Sequence, residues 1–193
     1  MLGLRLPTDP RWVDIASRNI EEILTDHAYC EQKAASTAIS LIVSFPEFPE
    51  LVSEMTELAR EEMSHFGQVH KRIIERGLQL GRERKDEYVA RIQQFFPKTA
   101  DRRTRLIQRL LIAALIEARS CERFKVLSEN IQDEDLSRFY RGLMASEAGH
   151  YKTFLTLARK YGRREEVDSL WQSLLDYEAE VIRDFGKKEF IHG

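Results

Sequence analysis

Cysteine is scarce in this chain of 193 residues, which contains only Cys30 and Cys121. The two lie far apart and form no CxxC or zinc-finger spacing, which argues against a disulfide scaffold and a thiolate metal site. Long apolar runs are also missing. The longest, Leu110 to Ile116, has seven residues, and the amino terminus has no apolar signal-peptide segment. We therefore expect a cytoplasmic protein without a membrane span.

A strong excess of charge of either sign is absent as well, since the formal net charge is −2. This argues against uniform electrostatic binding to nucleic acid. The charge is nevertheless uneven, because the stretch from Lys71 to Arg109 contains 12 Lys/Arg and 5 Asp/Glu residues, a net charge of +7. This stretch is a candidate polyanion surface, and a merely solvated surface is an equally good interpretation.

No stretch alternates between apolar and polar residues for long enough to predict a strand, whereas apolar residues recur at helical spacing along most of the chain. The predicted helices run from Pro10 to about Ser44, from Pro49 to Arg76, from Asp86 to Phe95, from a cap at Asp101 or Thr104 to Glu129, from Asp133 to Tyr161, and from Arg164 to Phe185. The length favours one well-buried core. The sequence therefore predicts a single all-α domain.

Two Glu-x-x-His pairs lie within these helices, Glu62 with His65 and Glu147 with His150. Residues three apart share a helix face, so each pair can present a carboxylate and an imidazole to one metal ion. A single pair is weak evidence in a Glu-rich chain, and a third pair at residues 189–192 is interpreted as chance because it lies at the terminus.

An internal repeat strengthens the metal interpretation. Glu31 precedes Glu62 by 31 residues, and Glu117 precedes Glu147 by 30 residues. Each half of the chain thus supplies one glutamate from its first helix and a Glu-x-x-His pair from its second. Glu122 is the alternative on the third long helix, but it lies off the apolar stripe and would break the repeat.

Four carboxylates and two imidazoles are the ligand set of di-iron and di-manganese sites in ferritin-like four-helix bundles. We therefore predict a ferritin-like four-helix bundle with a long crossover between its second and third helices and an additional C-terminal helix. The predicted metal ligands are Glu31, Glu62, His65, Glu117, Glu147 and His150. The oxygen-rich set favours two iron ions, with manganese as the alternative. Dioxygen is the expected co-substrate, and an external donor must supply electrons because no flavin, nicotinamide or iron–sulfur motif is visible.

Two stretches, DHAYCEQKAASTAISLI at residues 26–42 and LAREEMSHFGQVHKRIIERG at residues 58–77, together with SEAGHY at residues 146–151, resemble the tRNA 2-methylthio-isopentenyl-adenosine hydroxylase family. The resemblance implies a ferritin-like, non-haem di-iron monooxygenase that hydroxylates the isopentenyl group of a modified adenosine next to the tRNA anticodon. It implies the six ligands named above, with tRNA and an electron-donating reductase or ferredoxin as partners. A second basic group at residues 159–164 is another candidate for contacts with tRNA phosphates.

Other interpretations of the same pattern remain open. One is a small-molecule di-iron oxidase or a rubrerythrin-like peroxidase, although the chain has no cysteine-rich second domain. Iron storage and a metal-free helical interaction module are the non-enzymatic alternatives. Metal analysis separates the last of these from the others.

Overall fold

A computed structural model of the chain describes residues 2–97, 101–184 and 191. The regular structure of these residues is entirely helical, which confirms the all-α prediction. The helices are α1 (Arg11–Arg18), α2 (Ile20–Ser44), α3 (Pro49–Glu75), α4 (Glu87–Ile92), α5 (Arg102–Asn130), α6 (Glu134–Tyr161) and α7 (Arg164–Asp184), with a 3-10 turn at Gln93–Phe95. No helix in the described ranges has the length and apolar character needed to cross a membrane.

The described residues form two compact units. The α2–α3 unit contains residues 18–85 and 191, and the α5–α6 unit contains residues 2–17, 86–97 and 101–184. Each unit is built on one helical hairpin, and in the second unit α7 packs beside the hairpin and α4 packs against α7. The two hairpins are the two halves of the sequence repeat. Each unit therefore contains one glutamate and one Glu-x-x-His pair of the predicted ligand set.

The first predicted helix is interrupted, so the prediction of one continuous helix over residues 10–44 is wrong. Asn19 has a non-helical backbone, with φ −128° and ψ 53°, and its carbonyl accepts a hydrogen bond from Ile23 N at 2.9 Å. The side chain of Asn19 makes no capping hydrogen bond to α2. The break separates α1, whose Trp12 ring lies 4.1 Å from Cζ of Arg123 in the α5–α6 unit, from α2.

Aspartate caps fix three of the predicted helix starts. Asp86, Asp101 and Asp133 each accept a hydrogen bond from a backbone N–H two or three residues later, which satisfies an N–H group that has no partner inside the helix. The helices then begin one residue after each cap. The predicted end of the last helix, Phe185, lies outside the described residues.

The turn between α6 and α7 requires a glycine for space. A Cβ added to Gly162 would overlap Cγ2 of Val167 and would lie 3.0 Å from Cδ1 of Ile107. The backbone of Gly162 has φ −109°, which any residue adopts. The close packing therefore sets the position of this turn beside the first turns of α5.

We expect Gly162→Ala to lower the free energy of unfolding by about 1–3 kcal/mol, because the methyl group overpacks this contact. The matched control is Gly142→Ala in α6, where an added Cβ would meet no side chain of the described residues within 4 Å. The control should raise stability by up to about 1 kcal/mol, since alanine favours a helix over glycine. Urea denaturation measures both values, and equal shifts would contradict the packing argument.

Candidate metal centre

The α2–α3 unit brings its three predicted ligands together. Glu31 lies on α2, Glu62 and His65 lie on α3, and all three side chains are buried. Nδ1 of His65 is 3.6 Å from Oε2 of Glu31 and 3.4 Å from Oε2 of Glu62. One donor atom from each of the three residues lies within 4.8 Å of the other two. These donors converge at a separation that a metal ion can bridge.

Burial and mutual contact shift the titration of this cluster. Burial raises the pKa of Glu31 to about 8, and the neighbouring carboxylate of Glu62 adds to the shift. Burial by itself lowers the pKa of His65, but its hydrogen bonds to Glu31 and Glu62 and their negative charge raise it to about 10. The metal-free cluster therefore holds protons at neutral pH. A metal ion must displace them, so metal binding strengthens as the pH rises.

His27 holds the other oxygen of Glu31. Nε2 of His27 lies 2.6 Å from Oε1 of Glu31, and His27 is fully buried. The two residues are one helical turn apart on α2, and this spacing is the only sequence signal of the contact. A hydrogen bond of this kind fixes the orientation of a carboxylate that binds a metal ion.

The α5–α6 unit contains the second set of predicted ligands. Glu117 lies on α5, Glu147 and His150 lie on the same face of α6, and all three are buried. Nδ1 of His150 is 4.0 Å from Oε2 of Glu117. In both units, therefore, the same ring atom of the histidine faces the glutamate of the first hairpin helix. The sequence repeat is also a repeat of side-chain geometry.

Glu122, the alternative ligand on α5, is engaged elsewhere in the same unit. Its Oε1 accepts a hydrogen bond from Thr8 N at 2.9 Å, and its Oε2 accepts from Nη1 of Arg119 at 3.0 Å and from Oγ1 of Thr8. Both carboxylate oxygens are thus satisfied by protein donors. The contacts favour Glu117 over Glu122 as the ligand from α5.

The donor chemistry fits hard divalent or trivalent metal ions. The predicted ligands of each unit form a half-site of two buried carboxylates and one buried imidazole, which is an oxygen-rich set without thiolates. Burying two carboxylates without a cation is costly, and a bound metal ion offsets that cost. Glu189 and His192, which were interpreted as a chance pair, lie outside the described residues. The two half-sites together offer four carboxylates and two imidazoles.

A buried ion network that the sequence did not indicate fixes α5 in its unit. Nη2 of Arg119 lies 2.6 Å from Oε1 of Glu178 on α7, and the Tyr88 hydroxyl donates to the same oxygen at 3.0 Å. Nη2 of Arg119 also donates to the Leu6 carbonyl at 3.1 Å. Burial raises the pKa of Tyr88 well above its usual value. The network ties α4, α7 and the amino-terminal segment to the helix that carries Glu117.

Comparison with known proteins identifies relatives over almost the whole chain. The family model described as tRNA-(MS[2]IO[6]A)-hydroxylase (MiaE) matches residues 2–193. A tRNA 2-(methylsulfanyl)-N(6)-isopentenyladenosine(37) hydroxylase of Pseudomonas putida is 38% identical over 180 residues, covering 93% of this chain and 86% of the relative. A hydroxylase of the same name from Salmonella typhimurium is 29% identical, covering 93% of this chain and 83% of the relative.

A solved structure is also similar. The Synechococcus protein described as having aldehyde deformylating oxygenase activity is 33% identical and superposes with a TM-score of 0.91, covering 98% of this chain and 95% of that one. The ferritin-like fold predicted from the sequence is therefore confirmed, as is the family resemblance. The chain belongs to the tRNA-(MS[2]IO[6]A)-hydroxylase family.

Proposed function

We propose that this protein uses dioxygen to hydroxylate the isopentenyl group of 2-methylthio-isopentenyl-adenosine in tRNA. The observation that carries the proposal is the buried half-site of two carboxylates and one imidazole, present in each unit of a chain that matches the hydroxylase family from end to end. The names of both relatives describe the same substrate and reaction class. Spacing alone predicts the metal site, and the relatives supply the substrate.

We propose that the two units belong to one ferritin-like domain and that their half-sites share one dinuclear iron centre. The proposed ligands are Glu31, Glu62, His65, Glu117, Glu147 and His150. The matching donor sets and the matching orientation of Nδ1 in the two histidines support a shared centre. When bound, the iron pair supplies the redox chemistry that activates dioxygen for insertion of an oxygen atom into a C–H bond.

The side chains of the protein perform the remaining tasks. The carboxylates neutralise the charge of the metal ions, and their near-complete burial keeps bulk water away from the reaction. His27 orients Glu31 through its 2.6 Å contact, and Arg119 and Thr8 keep Glu122 away from the metal ligands. The His27 contact holds Glu31 before the metal binds, so less conformational freedom is lost on loading.

We expect His27→Ala to weaken iron binding by about 10–100-fold, because Glu31 loses the contact that orients it. His27→Gln keeps a side-chain amide near the carboxylate and should recover part of the loss. The control is His70→Ala on α3, which stacks on Phe66 with ring centroids 6.1 Å apart. Anaerobic competition with a chelator measures the affinity. Equal affinities of His27→Ala and the control would exclude the orienting role.

The proposed reaction needs partners beyond the chain. Hydroxylation by dioxygen consumes two electrons that the substrate does not supply, so we propose an external reductase or ferredoxin as the donor. We propose that the reaction takes place in the cytoplasm, where a tRNA substrate is found. Its polyanionic backbone also gives the basic regions of the chain a binding role.

The proposal is tested by assaying iron-loaded, chemically reduced protein with dioxygen and tRNA that contains the prenylated adenosine. Mass spectrometry of the digested tRNA should detect a nucleoside with one added oxygen atom in the prenyl group. A protein that is fully loaded and reduced, yet leaves the nucleoside unchanged, would refute the proposed function.

A second candidate function follows from the Synechococcus structure, whose description names aldehyde deformylation. The same loaded protein should therefore be assayed with an aliphatic aldehyde. Loss of the formyl group without any tRNA oxidation would favour that activity. Oxidation of tRNA with an inert aldehyde would exclude it under the same conditions.

A further inference from the structure

Two basic segments that are distant in the sequence lie together at one end of the α5–α6 unit. The first turn of α5 and the turn from α6 to α7 contribute six exposed cations, which we call the basic end: Arg102, Arg103, Arg105, Lys160, Arg163 and Arg164. Nε of Arg103 donates to the carbonyl of Tyr161, which joins the two segments directly. The tight packing of Gly162 against Ile107 fixes the same juxtaposition.

We propose that the basic end binds the phosphate backbone of the tRNA several nucleotides away from the modified adenosine. This inference rests on the proposed function for its partner. Six guanidinium or ammonium groups on one surface match a polyanion, and arginine binds phosphate with paired donors in a planar fork. The structure thus unites the end of the basic stretch at residues 71–109 with the second basic group at residues 159–164.

The arginines of α5 are unfavourable for the helix that carries them. Arg102, Arg103 and Arg105 occupy its first turn or the residue beside it, where the helix dipole is positive, and that turn contains no acidic residue. Each misplaced charge costs about 0.3–1 kcal/mol at an exposed site. By contrast, α6 and α7 begin with acidic residues, as the dipole favours. The Asp101 cap and the contact of Arg103 with Tyr161 offset part of this cost, and a bound anion would offset more of it.

The ion pairs within the basic end leave its charges exchangeable. Arg163 lies 3.0 Å from Glu166, and Arg164 lies 3.8 Å from Asp168. Pairs this exposed contribute about 0–1 kcal/mol and are screened by salt. A phosphate group can therefore replace a carboxylate at little cost. In the free protein, these carboxylates hold the arginine side chains at the surface until a phosphate group replaces them.

The distance from the ligands determines which kinetic step is affected. Arg102 lies 15 residues before Glu117 on α5, which corresponds to about 22 Å along the helix. A nucleic-acid strand with a phosphate about every 3.4 Å along its axis covers that length in roughly six nucleotides. The basic end therefore contacts flanking nucleotides rather than the reacting one. Its loss should change tRNA binding and leave the chemical step intact.

The test compares Arg102→Glu/Arg105→Glu with the matched double variant Arg138→Glu/Arg141→Glu, whose arginines are exposed near the opposite end of α6. Both variants change the charge equally. We expect the first to weaken binding of the prenylated tRNA by at least about 10-fold at 50 mM salt and to flatten the salt dependence of binding. It should raise KM for tRNA, leave kcat unchanged, and leave oxidation of the free modified nucleoside unchanged. The control variant should stay within about 2-fold of the wild type.

Equal tRNA affinities of the two double variants would overturn the inference. So would a fall in kcat without a change in affinity, because that result assigns the arginines to the reaction itself. Arg102→Ala/Arg105→Ala excludes a folding defect, since removing the unfavourable charges should keep or raise the melting temperature. Wild-type protein that binds tRNA through the basic end but never oxidises it would refute the proposed function alone. Wild-type oxidation of tRNA with an unchanged KM for tRNA in the charge-reversed variant would refute the basic end alone.

Discussion

Glu147→Ala is expected to reduce bound iron from about two ions per chain to at most one and to lower tRNA hydroxylation by more than about 100-fold. Loss of a contact that only orients a metal ligand lowers metal affinity or activity by about 10–100-fold. Loss of the ligand itself should have a larger effect. Glu147 is 3% exposed on α6, so water does not readily replace its lost oxygen atoms. Iron analysis and the mass-spectrometric assay measure the two effects.

The repeat supplies an internal comparison for this variant. Glu62→Ala removes the equivalent ligand from the α2–α3 unit, and a shared centre requires an equal loss. Glu134→Ala, at the exposed start of α6, is the matched control and should retain both ions and full activity. Iron content that stays near two ions per chain in Glu147→Ala would remove this residue from the ligand set.

Glu178→Ala is expected to lower the free energy of unfolding by about 3–5 kcal/mol, the usual cost of leaving a buried charge without its partner. Arg119 and Glu178 are both fully buried, and their charged atoms are 2.6 Å apart. Truncation leaves the guanidinium of Arg119 inside the protein without this carboxylate. The loss should appear as a lower urea midpoint with little change in the denaturant slope.

Two further variants separate the ion pair from the space it fills. Glu180→Ala removes an exposed carboxylate from the same helix and should change stability by less than about 0.5 kcal/mol. Arg119→Met/Glu178→Leu replaces both charges with apolar side chains and should recover part of the loss, because Glu122 loses Arg119 but keeps its hydrogen bonds from Thr8. A double variant as unstable as Glu178→Ala would show that packing, rather than the unpaired charge, dominates the effect.

Helix positions were predictable because their signals are local. Apolar periodicity and the aspartates at residues 86, 101 and 133 determine where the helices run and begin. The break at Asn19 was missed, because a single non-helical residue barely disturbs a periodic pattern. Its cause is tertiary, since Trp12 packs in one unit and α2 belongs to the other.

The candidate ligands were predictable because the repeat encodes them in the chain. Burial does not separate Glu117 from Glu122, since both are buried and α5 is covered on nearly all sides around them. The repeat spacing favours Glu117, and the structure adds the contacts of Glu122 with Thr8 and Arg119 and of Glu117 with His150. The pair of Arg119 and Glu178 spans 59 residues, and no local pattern connects them.

The central claim is that two equivalent half-sites share one dinuclear iron centre, and Mössbauer spectroscopy of protein loaded with enriched iron and then oxidised tests it most directly. We expect about two irons per chain and the spectrum of an exchange-coupled ferric pair, with no magnetic splitting in a weak field at low temperature. About one iron per chain, or two ferric ions that behave as magnetically independent sites, would contradict the claim.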